Sequence, residues 1–230
     1  MKNNVKIVIL NGPPGSGKDT FVELTKQLAG ELSKLLKYTV TVANISSIDP
    51  IKNIAKEMGW DGVKTPETRN MLSELKDISV KYFDYPFKYI CNKIESFDPC
   101  GGFGSFLGVR SGIIFIHVRE VSEIIKLKNK YPAAYTLYID SDRKIEDDIT
   151  NKSDNHTSEY KYMYYVTNVF STDNSMNKYK LSVKNFMKKL YHNEITKAIG
   201  DFVDNTYKDL SEEDRNKLKH TMYNGDVNEE

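Results

Sequence analysis

Asn11-Gly12-Pro13-Pro14-Gly15-Ser16-Gly17-Lys18-Asp19-Thr20 follows directly on an apolar, β-branched run, Val5 to Leu10. The run is short and reads as a buried strand. Behind the glycines, Phe21, Val22, Leu24, Leu28 and Leu32 recur at helical spacing with Lys and Glu between them. A strand, a glycine-rich turn and a helix form the setting of a phosphate-binding loop. Glycines let successive backbone N–H groups turn inward around a phosphate, and the helix N-terminus adds positive partial charge. Gly12, Gly15, Ser16, Gly17, Lys18, Asp19 and Thr20 are therefore the expected nucleotide-binding residues. Lys18 is placed to reach the β- and γ-phosphates.

Composition sets the outer limits. The chain has 230 residues and a net charge of +1. That length supports one α/β domain with a substantial core, and the balanced charge argues against a broad nucleic-acid surface. No apolar run approaches a membrane span, and Met1 to Asn4 leads into no signal-peptide pattern. Cys91 and Cys100 are too few for a disulfide scaffold, and no Cys/His group has zinc spacing. A reducing cytoplasm is the expected setting. Arginine occurs only at positions 69, 110, 119, 143 and 215, so each marks a place where a planar bidentate donor is worth looking for.

Further strands are expected at Tyr38–Ile45, Ile113–Val118, Ala134–Ile139 and Tyr162–Phe170. Helices are expected from Ile51 to Met58, from Pro66 toward Tyr82, and over Pro86–Phe97, Val121–Lys130 and Met176–Leu190. Ile195 to Tyr223 adds one or two more before an acidic tail. Asp98 to Gly112 reads as a glycine-rich connection; its Gly101-Gly102-Phe103-Gly104 has neither a preceding strand nor a following lysine. Ser141 to Tyr160 is long, polar and charged, the pattern of a lid. Alternating strands and helices imply a parallel sheet covered on both faces. The expected fold is a three-layer α/β P-loop NTPase fold with five parallel strands. Its P-loop domain spans 1–193, with a lid over about 141–160; a helical extension with an acidic tail occupies 194–230.

Gly12-Pro13-Pro14-Gly15-Ser16-Gly17-Lys18 followed by one residue and Thr20 resembles the loop of adenylate kinases and other nucleoside monophosphate kinases. The ending Ser16-Gly17-Lys18-Asp19-Thr20 resembles phage deoxynucleoside monophosphate kinases and, more distantly, animal phosphomevalonate kinases. Asp49-Pro50-Ile51-Lys52 is similar to the turn at which those families begin their acceptor region, which implies the nucleotide kinase form of the P-loop fold with an acceptor arm over about 49–97. Val118-Arg119-Glu120-Val121-Ser122-Glu123-Ile124 resembles the arginine-bearing end of their central strand. Thr167-Asn168 and Asp173-Asn174-Ser175 resemble the turn after their last strand. The likeness runs loosely from Val5 to about Leu190.

The resemblance implies an ATP-dependent kinase acting on a (deoxy)nucleoside monophosphate, with Mg²⁺ accompanying ATP. Its partners are those two nucleotides and no membrane; a homodimer is left open. Kinases of other small phosphorylated metabolites, and a nucleotide-binding protein without turnover, are the alternatives. Lys18, Arg119 and Arg143 are the expected catalytic residues, with Arg143, Lys144 and Lys152 starting the lid that excludes water. Asp49, Lys52, Arg69 and Arg119 are expected at the acceptor, and Asn168 near the adenine. Asp49 serves equally well as a helix cap, and Arg69 as a surface ion-pair residue. Those families carry an aspartate where this chain has His117. A neutral imidazole suits hard Mg²⁺ poorly, so Asp19, Asp49 or Glu120 are candidates for the missing carboxylate, with Asp19 and Glu120 the expected metal residues. A packed strand histidine is the other reading of His117.

Overall fold

A computed structural model of the chain describes residues 4–99, 111–142 and 160–224. The first strand, β1 (Asn4–Asn11), runs into the glycine turn, and α1 (Lys18–Leu36) leaves it. Next come β2 (Val40–Ser46), α2 (Asp49–Glu57), α3 (Pro66–Phe83) and α4 (Tyr85–Glu95). The chain continues as β3 (Ser111–His117), α5 (Val121–Lys130), β4 (Tyr135–Ser141) and β5 (Tyr164–Asn168). It closes with α6 (Ser175–Leu190), α7 (His192–Thr206) and α8 (Glu212–Asn224).

The five strands form one sheet in the order β2-β3-β1-β4-β5, and every pairing is parallel. The three-layer α/β architecture expected from the sequence is thus present. β3, the most apolar strand, lies inside the sheet and is buried at every position except His117. Successive side chains of a strand point to opposite faces, and β1 divides accordingly. Val8 and Leu10 join a core cluster with Phe21, Phe115, Val183 and Phe186. Ile9 joins the opposite one with Ile114, Ile116, Ile124 and Ile90.

Several ends differ from the sequence reading. β2 starts at Val40, two residues after the expected Tyr38, and β5 is confined to Tyr164–Asn168. The backbone at Asp84 is left-handed (φ 52°), which separates α3 from α4. α7 places Ile195, Ile199 and Val203 in the same cluster as Val8 and Phe115. Packing on the sheet core therefore continues past residue 194, where the extension was expected to begin. α8 buries no residue of its own and is held to α7 by Arg215 and Lys219 on Asp204.

The expected arm is not uniform either. Ile51, Ala55 and Leu72 of α2 and α3 make a small cluster separate from both main ones, whereas Ile90 of α4 belongs to the sheet core. The expected lid, with Arg143, Lys144 and Lys152, lies outside the described residues except at its ends. At its near end the Asp142 carboxylate accepts the N–H groups of Phe170 (2.7 Å) and Ser171 (3.1 Å). The expected loop Gly101–Gly104 also lies outside them.

Phe21 ties the loop helix to the sheet. It is fully buried and meets Phe115, Tyr179 and Phe186 edge-on, with centroids 6.0, 6.0 and 5.5 Å away. Phe21→Ala removes these contacts and leaves a cavity, which costs about 4 kcal/mol. Urea unfolding should show that loss as a lower midpoint at unchanged slope.

Candidate functional site

The glycine turn closes on itself and is braced from below. Gly12 (φ 146°), Gly15 (φ 73°) and Gly17 (φ 93°) all hold conformations that side chains disfavour. At Gly12 a Cβ would run into the Ile139 carbonyl, and at Gly17 into the Asn168 amide. Asn168 Nδ2 donates to Ser16 O (3.1 Å), and the Tyr179 hydroxyl donates to Gly17 O (3.0 Å). Asn168, expected beside an adenine, is thus buried as a support of the loop. The Lys18 ammonium donates to the carbonyls of Gly12 and Pro13, both at 2.6 Å. α1 begins at Lys18 without a side-chain cap, so its first-turn N–H groups stay open to an anion.

The parallel pairing of β1 with β3 sets a second turn beside this loop. Leu10 is in register with His117, which is also in register with Ser46 of β2. Beyond the strands, Val118 N–H donates to Leu10 O (3.3 Å) and Ser47 N–H to His117 O (3.0 Å). Asn11 bridges the two turns: its amide nitrogen reaches Arg119 O at 3.4 Å, while its oxygen accepts from Gly12 N–H.

Between the glycine loop, the β3–α5 turn and the arm lies a cleft of about 500 Å³. Lys18 and Asp19 line it from the loop; Asp49, Lys52 and Arg69 from the arm; Arg119 and Glu120 from the turn. One cavity therefore gathers the expected acceptor and metal residues together with Lys18. Arg69 and Arg119 are exposed and form no ion pair among the described residues. Lys64, which the sequence reading passed over, is a third such cation.

Other side chains already have partners. Asp49 lies in the first turn of α2 rather than before it: its Oδ2 accepts Ser46 N–H (2.8 Å), and its Oδ1 lies 3.8 Å from Lys52. Glu120 Oε1 receives the Lys76 ammonium at 2.8 Å, and Glu123 Oε2 lies 3.3 Å from the same ammonium. Burial works against the charge on Lys76, yet Glu123 and Glu120 outweigh it and hold its pKa above the ordinary lysine value. Asp19 is exposed in the first turn of α1, with the Thr20 hydroxyl next in sequence. A second, smaller cavity of about 180 Å³, where α3 and α4 meet α5, sets Val80, Phe87, Ile90 and Leu127 beside Asp84, Glu120, Glu123 and Lys126. Three carboxylates against one ammonium make it a poor place for a phosphate.

Two buried polar atoms at this site have no hydrogen-bond partner among the described residues, Ser16 Oγ and His117 Nε2. Native interiors leave few such atoms. Burial pushes the His117 pKa down to about 4; Asp19 and Asp49 oppose that shift, and Lys18 and Lys52 add to it. The imidazole is neutral at physiological pH.

No protein-family model matches the chain, and no curated protein matches it. Among solved structures it is similar to an unliganded sugar kinase from Janibacter sp. HTCC2649. Identity there is 15% over 81% of this chain and 94% of that one, with a TM-score of 0.37. A weaker likeness joins it to the universal stress protein UspA from Lactobacillus plantarum, at 8% identity over 72% and 99% of the two chains and a TM-score of 0.21. Likenesses this slight carry no argument, and the functional reading rests on the site. No helix among the described residues is long and apolar enough to cross a membrane.

His117 supplies a test of the site's electrostatics. Its folded pKa of about 4 lies below the ordinary 6.5. The unfolded chain therefore takes up a proton first as pH falls, and stability is lost between those values. Between pH 7 and pH 4.5 the loss from this group is roughly 2 kcal/mol. Urea melts of wild type and His117→Gln across that range should show the wild type losing more stability than the variant. Parallel curves would place the imidazole in water.

Proposed function

We propose that the protein is a phosphotransferase that moves the γ-phosphoryl group of ATP to a small phosphorylated acceptor. By the sequence resemblance, that acceptor is a nucleoside monophosphate, most simply a deoxynucleotide. The observation that carries this reading is the cleft itself, whose lining brings the glycine loop and Lys18 together with Lys64 and Arg69 of the arm and Arg119 of the β3–α5 turn. Two polyanions brought end to end repel each other, and cations arriving from separate elements offset that repulsion. The three cations that have no ion-pair partner among the described residues are what such a site requires before its ligands arrive.

The chemistry asked of the protein is modest. A phosphate acceptor is already ionised, so no general base is needed, and positioning with charge neutralisation supplies most of the rate. The glycine loop would hold the β- and γ-phosphates through backbone N–H groups and Lys18. Arg119 would sit where the transferring group meets the acceptor phosphate, and Lys52, Lys64 and Arg69 would hold the acceptor. Asn168 would act indirectly by keeping the loop in shape.

Mg²⁺ fits the donors present. Among the described residues no three His, Cys, Asp or Glu side chains form a metal cage. Mg²⁺ bound with a nucleotide needs only one or two protein oxygens beside phosphates and waters. Asp19 and the Thr20 hydroxyl would supply them, whereas Glu120 is engaged by Lys76. When bound, the ion would neutralise charge on the β- and γ-phosphate oxygens.

A second reading, ATP binding without turnover, rests on His117, a neutral group where a carboxylate would serve a hard cation better. A coupled assay of ADP release across the deoxynucleoside monophosphates and other phosphorylated metabolites separates the two. Release with one acceptor supports the kinase; none with any of them, alongside intact ATP binding, supports the second. Within the kinase reading, Lys18→Ala should weaken ATP binding and slow transfer together. Arg119→Ala should leave ATP affinity nearly unchanged and lower the single-turnover rate by about 10³-fold, and Arg119→Lys should recover little of it. Near wild-type rates in both Arg119 variants would remove Arg119 from the reaction.

A further inference from the structure

We infer that Lys76 is a positioning residue that links the acceptor arm to Arg119. The inference rests on the phosphotransferase reading for its effect on rate, and on geometry alone for the link. α3 has 18 residues, and only Leu72 and Lys76 are buried. They lie four apart and share one face of the helix. Leu72 packs within the arm, against Ile51 and Ala55 in a cluster separate from the sheet core. Lys76 instead crosses to the β3–α5 turn, where it meets Glu120 at 2.8 Å and Glu123 at 3.3 Å with 11% of its side chain exposed. This ion-paired lysine ties α3 directly to the β3–α5 turn beside Arg119; a second pair, Lys126 with Asp84 at 2.6 Å, joins the far end of α3 to α5 but lies further along that helix from Arg119.

The carboxylates it meets are placed for that purpose. Glu120 stands at the N-cap of α5, yet its side chain caps nothing in the helix and goes to Lys76. Glu123 lies in the first turn, where the helix N-terminus favours negative charge. Arg119 directly precedes Glu120, and the carbonyl of the peptide that joins them accepts from Asn11 Nδ2 at 3.4 Å. That peptide is thus contacted by the end of β1 through Asn11 and drawn toward the arm by Lys76 on Glu120. An acceptor gripped by Lys64 and Arg69 would move the arm, and through Lys76 the arm would set where Arg119 stands. A lysine serving only the stability of α3 would have no such coupling to Arg119.

The test is a double-mutant cycle on the full chain. Lys76→Met keeps the length of the side chain and removes its charge; Lys76→Arg keeps the charge. With ATP and the accepted deoxynucleoside monophosphate, Lys76→Met should lower the single-turnover rate about tenfold or more at unchanged ATP affinity, and Lys76→Arg should recover part of it. In an Arg119→Ala background the same Lys76→Met change should cost less than about twofold, because the residue it positions is gone. Equal losses in both backgrounds would overturn the inference.

Hydrogen exchange without ligand reads the link independently of turnover. Lys76→Met should speed exchange over residues 117–124 about tenfold while α1 is unchanged, and Glu123→Gln should do the same more weakly. Unchanged exchange in that turn would overturn the link even in an active enzyme. A wild type that transfers nothing, but whose variants show faster exchange there, would overturn the phosphotransferase reading and support the link.

Discussion

The parallel pairing of β1 with β3 is the constraint on which the site depends. It sets Leu10 beside His117, so the two loops leaving those strands emerge together at one edge of the sheet. Ligands of open α/β sheets bind beyond the carboxyl ends of the strands, where neighbouring connections diverge. Asn11 reinforces that adjacency through Arg119 O on one side and Gly12 N–H on the other. A shift of one residue in this register would exchange the two buried faces of β3, setting Phe115 in the cluster that Ile114 and Ile116 fill. It would also separate Lys18 from Arg119.

The cleft that results is electrostatically mixed. Lys18, Lys52, Lys64, Arg69, Lys76 and Arg119 share its walls with Asp19, Asp49, Asp77 and Glu120, and some of the opposite charges already neutralise each other. Lys76 is spent on Glu120 and Glu123, and Lys52 lies near Asp49. What remains for a ligand is carried by the exposed cations on the arm and by Arg119. His117 contributes no charge near neutral pH, so the floor of the cleft neither repels an anion nor offers a hard ligand for a cation.

Much of this was legible in the chain because local signals carried it. The glycine loop declared itself through Val5–Leu10 before it and the helical spacing of Phe21, Leu24 and Leu28 after it, and β3 through unbroken apolar residues. The five-stranded parallel sheet followed from alternation of elements. Partnerships formed across the fold were not legible. Nothing near Lys76 in sequence distinguishes it from a solvated lysine; its partners are 44 and 47 residues away. Tyr179 looked like one of many tyrosines, and only the fold brings its hydroxyl to Gly17. Asn168 was singled out by resemblance, but whether it met a base or the loop depended on how β5 and α6 pack. Strand ends such as Val40 also escaped, since edge residues pair or not according to a neighbour that sequence alone does not show.

In the proposed reaction one cleft holds a nucleoside triphosphate and a phosphorylated acceptor at the same time. The most direct test is equilibrium binding of a single molecule in which adenosine and a deoxynucleoside are joined through five phosphates, measured against ATP alone. Joining two ligands that occupy adjacent sites makes the second contact intramolecular, so the linked compound should bind about a hundredfold more tightly than ATP. Arg69→Ala and Lys64→Ala should remove that advantage and leave ATP binding intact. A linked compound that binds no better than ATP, or an advantage that survives loss of both arm cations, would contradict the account.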